Sequence, residues 1–321
     1  MKAVKISSED GSPTLVYENV EQPAPGKGQV LVEVTATGVN FMDLGAKTGA
    51  IGGSYKPSIL GVEGAGRIVE LGADVQDFSI GDRVAWVFVP HSYAERIVAD
   101  AGSLVKIPDD IDDRSAAALM MQGLTASHFA TSFYPVQKGD IALVHAGAGG
   151  LGRLLTQIIK LRGGTVISRV SSEAKIEIAK AAGADHVIVS GDGAFADEAI
   201  RLSGGEGVHV VFDGSGPATF QGSLDALRRA GTFCWYGPVL GGPGPIDIIS
   251  LPKSIKLGYA RFFDSIYTPD LLRQRAEQLF DWVRDGVVSI KIGGVYPLAE
   301  ADKALADLES RVTTGKLLLI P

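Results

Sequence analysis

A single cysteine, Cys234, stands among the 321 residues. No intrachain disulfide can form. A zinc site of four cysteines, or of two cysteines with two histidines, cannot be assembled either. No stretch is rich in Lys or Arg, and 30 basic residues against 37 acidic ones leave a net charge of −7. The basic face on which nucleic-acid proteins rely has no run of residues to build it, so no nucleic-acid partner is expected. No run of about 18 apolar residues occurs, so no membrane span and no membrane partner is expected. The stretch 115–130 comes nearest, and Gln122, Thr125 and His128 interrupt it. The first ten residues, Met1 to Asp10, lack the apolar centre of a signal peptide. A soluble cytoplasmic protein is the expectation. The histidines (His91, His128, His145, His186, His209) form no i, i+4 pair and read as ordinary polar or core residues. No Ser-His-Asp set, internal repeat or low-complexity segment is found, and Cys234, between Phe233 and Trp235, reads as a buried inert thiol.

What is present suits a globular protein of two domains, at roughly 100–200 residues each. Hydrophobic residues make up 45% and charged residues 21%, which excludes global disorder. Glycine is plentiful, at 41 residues, without the G-X-Y period of collagen. The glycines lie between apolar runs and mark turns and close backbone approaches.

The first 110 residues read as short strands punctuated by Gly or Pro, a barrel-like all-β half. Val30-Leu31-Val32-Glu33-Val34 and Asp82-Arg83-Val84-Ala85-Trp86-Val87 are examples. A helix start is expected at Asp112-Asp113-Arg114-Ser115. Beyond Lys138-Gly139-Asp140, strands at 141–145, 165–170, 187–189, 208–212 and 232–236 alternate with helices at 151–161, 173–182 and 220–229. Such alternation implies βαβ units and a parallel sheet. A helix at 271–285 and a strand at 316–321 end the chain. The fold class is α/β.

The strongest local signal is Gly147-Ala148-Gly149-Gly150-Leu151-Gly152. It fits G-x-G-x-x-G directly after a strand and before a helix. There the backbone can approach a pyrophosphate and the helix N-terminus offers unpaired N–H groups. NAD enzymes carry an acid at the end of the next strand for the ribose 2′-OH. Here that strand ends Ile167-Ser168-Arg169-Val170-Ser171-Ser172, followed by Lys175. Arg169, Ser171 and Lys175 suit a 2′-phosphate, so NADP is read over NAD. The other reading of Arg169 and Lys175 is solvated surface charge.

With these residues in hand, the chain resembles the zinc-independent quinone oxidoreductases of the medium-chain dehydrogenase/reductase superfamily. The likeness runs through Gly38-Val39-Asn40-Phe41-Met42-Asp43, Gly61-Val62-Glu63-Gly64-Ala65-Gly66, Gly123-Leu124-Thr125-Ala126, the glycine loop, and the tail from Leu308 to Lys316. It implies a GroES-like, partly closed β-barrel catalytic domain over 1–122, a Rossmann NADP-binding domain over 123–263, and a segment 264–321 returning to the catalytic domain. It also implies an active site in the cleft between the domains. A homodimer through Rossmann edge strands is implied, with 253–263 as the candidate edge. Zinc relatives place Cys where Asn40 stands and His where Val62 stands, so no metal ligand is expected.

The resemblance further implies that Asn40 contacts the nicotinamide ribose and that Asp43 supports it. Thr125, the loop Gly147, Ala148, Gly149, Gly150, Leu151 and Gly152, and the Tyr236-Gly237 pair serve the cofactor, with Arg311 near its phosphates. Ser190 stands where relatives hold the 2′-phosphate with a tyrosine, and Arg169 is a candidate to replace that contact. Pro238 and the missing tyrosine near Gly45 depart from the family pattern. The expected function is NADPH-dependent hydride transfer to a quinone without zinc. The alternatives are an NADPH-dependent enone, alkenal or enoyl-thioester reductase, for which Tyr236 is a candidate acid, and a non-catalytic NADPH-binding protein.

Overall fold

The computed structural model describes residues 1–7, 13–49, 58–191, 194–237 and 241–321. Pro238 lies outside them. Two units divide the chain: Met1–Leu124, Ile266–Arg284 and Ile290–Pro321 form the first, and Thr125–Ser265 with Asp285–Ser289 the second.

The first unit opens with the antiparallel pair β1 (Lys2–Ser7) and β2 (Thr14–Asn19). There follow β3 (Gln29–Val39), helix α1 (Phe41–Thr48), β4 (Glu63–Leu71), β5 (Arg83–Val87), β6 (Arg96–Asp100), β7 (Leu104–Lys106) and α2 (Asp113–His128). Alternation along β3 sends Val30, Val32 and Val34 into one core with Ile68, Val84, Trp86 and Ile97. Helix α1 breaks the all-β expectation for this half. Its signals are local. The Asn40 N–H bonds the Asp43 carboxylate at the helix start (2.8 Å), and Gly49 closes the helix in the left-handed region (φ 72°).

The second unit alternates β8 (Ile141–Val144), α3 (Gly150–Leu161), β9 (Thr165–Val170), α4 (Ile176–Ala181), β10 (His186–Val189), α5 (Ala196–Leu202), β11 (Val208–Asp213), α6 (Pro217–Ala226), β12 (Leu227–Trp235) and β13 (Lys256–Tyr259). All neighbours pair in parallel, in the order β10-β9-β8-β11-β12-β13. In order of appearance that is 3-2-1-4-5-6, the Rossmann arrangement, with its switch point between β8 and β11. Leu143, Ile167, Ile188, Val211 and Phe233 place one core residue on each of five strands. The helix expected at 220–229 ends at Ala226, because Leu227 pairs with Val208 and begins β12. The register then shifts around Ala230, which is left-handed (φ 59°).

The chain returns to the first unit through α7 (Pro269–Arg284), β14 (Ile292–Pro297), α8 (Ala301–Glu309) and β15 (Lys316–Ile320). The sheet there runs β14-β15-β3-β4-β5-β7, with β6 also on β3. Leu317 lies opposite Val39, and Thr37 opposite Gly64. These registers bring the start of β15, the end of β3 and the start of β4 together, carrying Lys316, Asn40 and Glu63 to one end of the sheet.

Candidate active site

In the second unit, the glycine loop leaves β8 at the switch point. Ala146 takes a left-handed conformation (φ 50°), uncommon for a residue with a side chain. The Gly147 N–H bonds the Arg169 carbonyl (3.1 Å) and the Gly149 N–H the Ala146 carbonyl (2.8 Å). The glycines are not equivalent. A Cβ at Gly147 would stand 2.5 Å from Ser168 Oγ, and one at Gly152 would overlap the Ala146 carbonyl oxygen and stand 2.9 Å from Gly147 Cα. Packing of loop on strand and helix forbids both. At Gly149 the nearest atom to a Cβ is the Ala146 oxygen, at 3.1 Å, and the backbone (φ −74°) is open to any residue. Gly150, Leu151 and Gly152 open α3, so their N–H groups have no acceptor within the helix. This cradle fits a pyrophosphate.

At the ends of β9 and β10, Lys175 Nζ bonds Ser171 Oγ (3.2 Å) on an exposed surface. The Ser190 N–H bonds the Val170 carbonyl (3.0 Å), which brings Ser190 to the same strand ends. Arg169, by contrast, is buried. Its side chain is 8% exposed, and its guanidinium lies over the Phe195 ring (5.2 Å) and beside His145 Nδ1 (3.5 Å). Alternation explains this: Arg169 shares a face of β9 with Ile167, which faces the core. Lys175, half-buried, is the cation beside Ser171 at this strand end, and the Arg169 carbonyl accepts from the loop's Gly147 N–H.

Beneath β11, Asp213 accepts from Ser223 Oγ (2.7 Å), Thr219 Oγ1 (3.0 Å) and the Ser215 N–H (2.8 Å). His145 Nε2 stands 3.0 Å from Ser223 Oγ. Burial holds the His145 imidazole well below its usual range, against the opposing pull of Asp213. The set is fully buried and orders the turn after β11; it offers no nucleophile to a ligand. Tyr236 follows β12 and packs its ring on Phe129 (4.8 Å between centroids), over Gly214, where any Cβ would overlap it. Burial first, then Asp213, raises the phenol well above its ordinary range. Tyr236 therefore keeps its proton at neutral pH, a hydrogen-bond donor and a poor acid. Gly237 is left-handed (φ 77°), and Thr125 is half-buried on α2. Cys234 is buried and its thiol raised, as an inert thiol should be.

In the first unit, Asn40 sits between β3 and α1. Its side chain does not cap the helix. Oδ1 accepts from Lys316 Nζ (2.6 Å), and Nδ2 donates to Glu63 Oε2 (2.9 Å) and the Gly38 carbonyl (3.3 Å). Glu63 also takes Lys316 Nζ (2.5 Å) and the Met121 N–H (2.5 Å). Asp43 accepts from the Asn40 N–H and from Tyr93 Oη (2.9 Å). Burial is the largest influence on Asp43 and pushes its carboxyl up to about 7, against these hydrogen bonds and Lys316. Arg311 is exposed just past α8, left-handed at φ 58°. The residues that the sequence reading missed are Glu63, Lys316 and Tyr93. Their signal is three-dimensional, since Lys316 lies 253 positions from Glu63 and reads locally as the charged start of a strand.

Comparison with known proteins places these features. Residues 26–109 match the alcohol dehydrogenase GroES-like domain, and residues 150–285 match the zinc-binding dehydrogenase family. The chain is 33% identical to a quinone oxidoreductase of Pseudomonas aeruginosa, over 100% of this chain and 99% of the relative. It belongs to the quinone oxidoreductase family. A 2-haloacrylate reductase of a Burkholderia species is also 33% identical, over 99% and 98% of the two chains. The crystal structure of Escherichia coli quinone oxidoreductase complexed with NADPH superposes with a TM-score of 0.95 at 29% identity, over 100% of both chains.

The zinc implied by one matching family does not fit this quinone oxidoreductase-family chain. Of the two positions where zinc relatives carry Cys and His, Asn40 has its amide bonded to Lys316 and Glu63, and Val62 is apolar and buried. Neither is an ordinary zinc ligand. Among the described residues, no group of three or more His, Cys, Asp or Glu is arranged to hold a metal ion. NADPH does fit: Gly147 and Gly152 allow the close loop, and the opening turn of α3 supplies donors. No helix among the described residues is long and apolar enough to cross a membrane.

Proposed function

We propose that the chain catalyses NADPH-dependent reduction of quinones by direct hydride transfer, without zinc. The observation that carries this reading is the glycine loop at the switch point of a Rossmann sheet, joined to Lys175 and Ser171 at the next strand end. NADPH supplies the hydride. Loop and helix N–H groups bind the pyrophosphate, and the helix dipole favours its charge. Lys175, Ser171 and Ser190 hold the 2′-phosphate, and Arg311 assists at the phosphates. Asn40 serves the nicotinamide ribose, and Asp43 anchors the Asn40 backbone. Tyr236 and Gly237 serve the nicotinamide end, with the phenol held protonated as a donor.

A quinone demands little of such residues. Charge grows on its oxygen as the hydride arrives, delocalises through the ring, and is stabilised by hydrogen-bond donors, each typically contributing about 2.7–4 kcal/mol. The 2-haloacrylate reductase relative marks the competing acceptor, an activated C=C bond. The test is NADPH oxidation against a panel of quinones, 2-haloacrylates, enones and enoyl thioesters. Turnover with quinones far above the others is expected. Rapid reduction of the alkenes with quinones inert would overturn the reading.

We also propose a homodimer through β13, the edge strand of the parallel sheet. Unpaired edges invite pairing with a second chain. Tyr259 on β13 and Ile248 and Ile249 before it are exposed apolar residues of the same unit. Sedimentation of the unmodified protein and of Tyr259→Lys should give a dimer and a weakened dimer; a monomeric unmodified chain would refute this.

A further inference from the structure

Three adjacent strands deliver Lys316, Asn40 and Glu63 to one end of the first unit's sheet. Glu63 is 0% and Lys316 1% exposed. A buried ion pair is a poor device for stability, because desolvating both charges costs about what their attraction returns. Room for the pair is made at Gly38, where a Cβ would overlap Glu63 Oε2 and stand 2.7 Å from Lys316 Cε.

The pair has one clear consequence. An ammonium can only donate and a carboxylate only accept. Lys316 therefore binds Asn40 Oδ1 and Glu63 binds Nδ2, and the opposite amide orientation would oppose like groups on both sides. Both Nδ2 protons are used, one on Glu63 and one on Gly38. Oδ1 keeps a second lone pair. We propose that Lys316 and Glu63 are positioning residues that hold the Asn40 amide so that it can only accept, pairing it with a hydroxyl of the nicotinamide ribose. The inference rests on the reading of Asn40 as the residue that serves that ribose. Lys316 and Glu63 act through Asn40 and do not themselves touch the cofactor.

A double-mutant cycle on NADPH affinity, read by nicotinamide fluorescence, tests this. Lys316→Met should weaken NADPH about tenfold in the unmodified background and less than about twofold in Asn40→Ala, since residues acting through one another are not additive. Lys316→Arg, which keeps a donor toward Oδ1, should recover most of the loss. Should Lys316→Met fail to fold, Glu63→Met, which removes the acceptor of Nδ2, takes its place in the cycle with the same expectation. Equal losses in both backgrounds, as a general structural role would give, would overturn the proposal, as would unchanged affinity in Lys316→Met. The titration needs no acceptor. A chain that binds NADPH but leaves quinones untouched would therefore refute the proposed activity and not this inference.

Discussion

The glycine loop makes two alanine substitutions that look alike in sequence behave differently. At Gly152, a methyl group overlaps the Ala146 carbonyl oxygen and meets Gly147 Cα at 2.9 Å and the Ala146 carbonyl carbon at 3.0 Å. All three are backbone atoms of a turn already held at a left-handed residue, so nothing flexible can yield. Overpacking of this kind costs about 1–3 kcal/mol. At Gly149 the closest contact is a single oxygen at 3.1 Å, and the backbone conformation is ordinary. A methyl there costs little, and the reduced freedom of the unfolded chain returns about 0.4–1 kcal/mol. What it obstructs is the approach of a pyrophosphate. The assay is thermal melting with and without NADPH. Ligand at about one hundred times its dissociation constant stabilises by about 2.7 kcal/mol. Gly149→Ala should melt like the unmodified protein alone and lose most of the NADPH shift. Gly152→Ala should melt several degrees lower even without NADPH. A Gly149→Ala protein that keeps the full NADPH shift would refute the assignment of this loop to the cofactor.

Arg311 holds a left-handed conformation that costs a side-chain-bearing residue about 1–2 kcal/mol; Arg311→Gly should raise the melting temperature while weakening NADPH, and a variant neither more stable nor weaker in binding would count against its role. Lys175→Ala should lower the preference for NADPH over NADH about tenfold or more, as loss of a charged hydrogen bond of about 1.5–3 kcal/mol implies, with the melting temperature unchanged. Arg169→Ala should instead destabilise, since its guanidinium is packed on Phe195. Asp43, at about 7 in the fold against an ordinary 3.8, binds its proton more tightly folded than unfolded. Its contribution to stability is full below about 4, is lost as pH rises through about 7, and levels off above that. Urea unfolding across this window should show the decline in the unmodified protein and a smaller one in Asp43→Asn.

Local patterns carry most of the fold. The strand-loop-helix at Gly147–Gly152 and the alternation after Lys138 announce a Rossmann sheet, because phosphate loops and βαβ units are built from contiguous residues. Helix α1 is equally local, in Asn40, Asp43 and Gly49, but it is short and its β-rich surroundings hide it. Charge alone points Arg169 at a phosphate, whereas its parity with Ile167 decides where it lies. The Lys316–Glu63–Asn40 set is beyond reach of any window, since only the register of β15 on β3 and of β3 on β4 brings it together. Asp43 is legible as a supporting residue, but its raised carboxyl is not, because burial is a property of the fold.

The central claim is tested most directly by following the nicotinamide absorbance of NADPH as a simple para-quinone is added to protein stripped with a zinc chelator. The account predicts rapid oxidation of NADPH, much slower oxidation of NADH, and no loss of rate on chelation. NADPH left unoxidised by every quinone tried, or a rate abolished by chelation and restored by zinc, would contradict it.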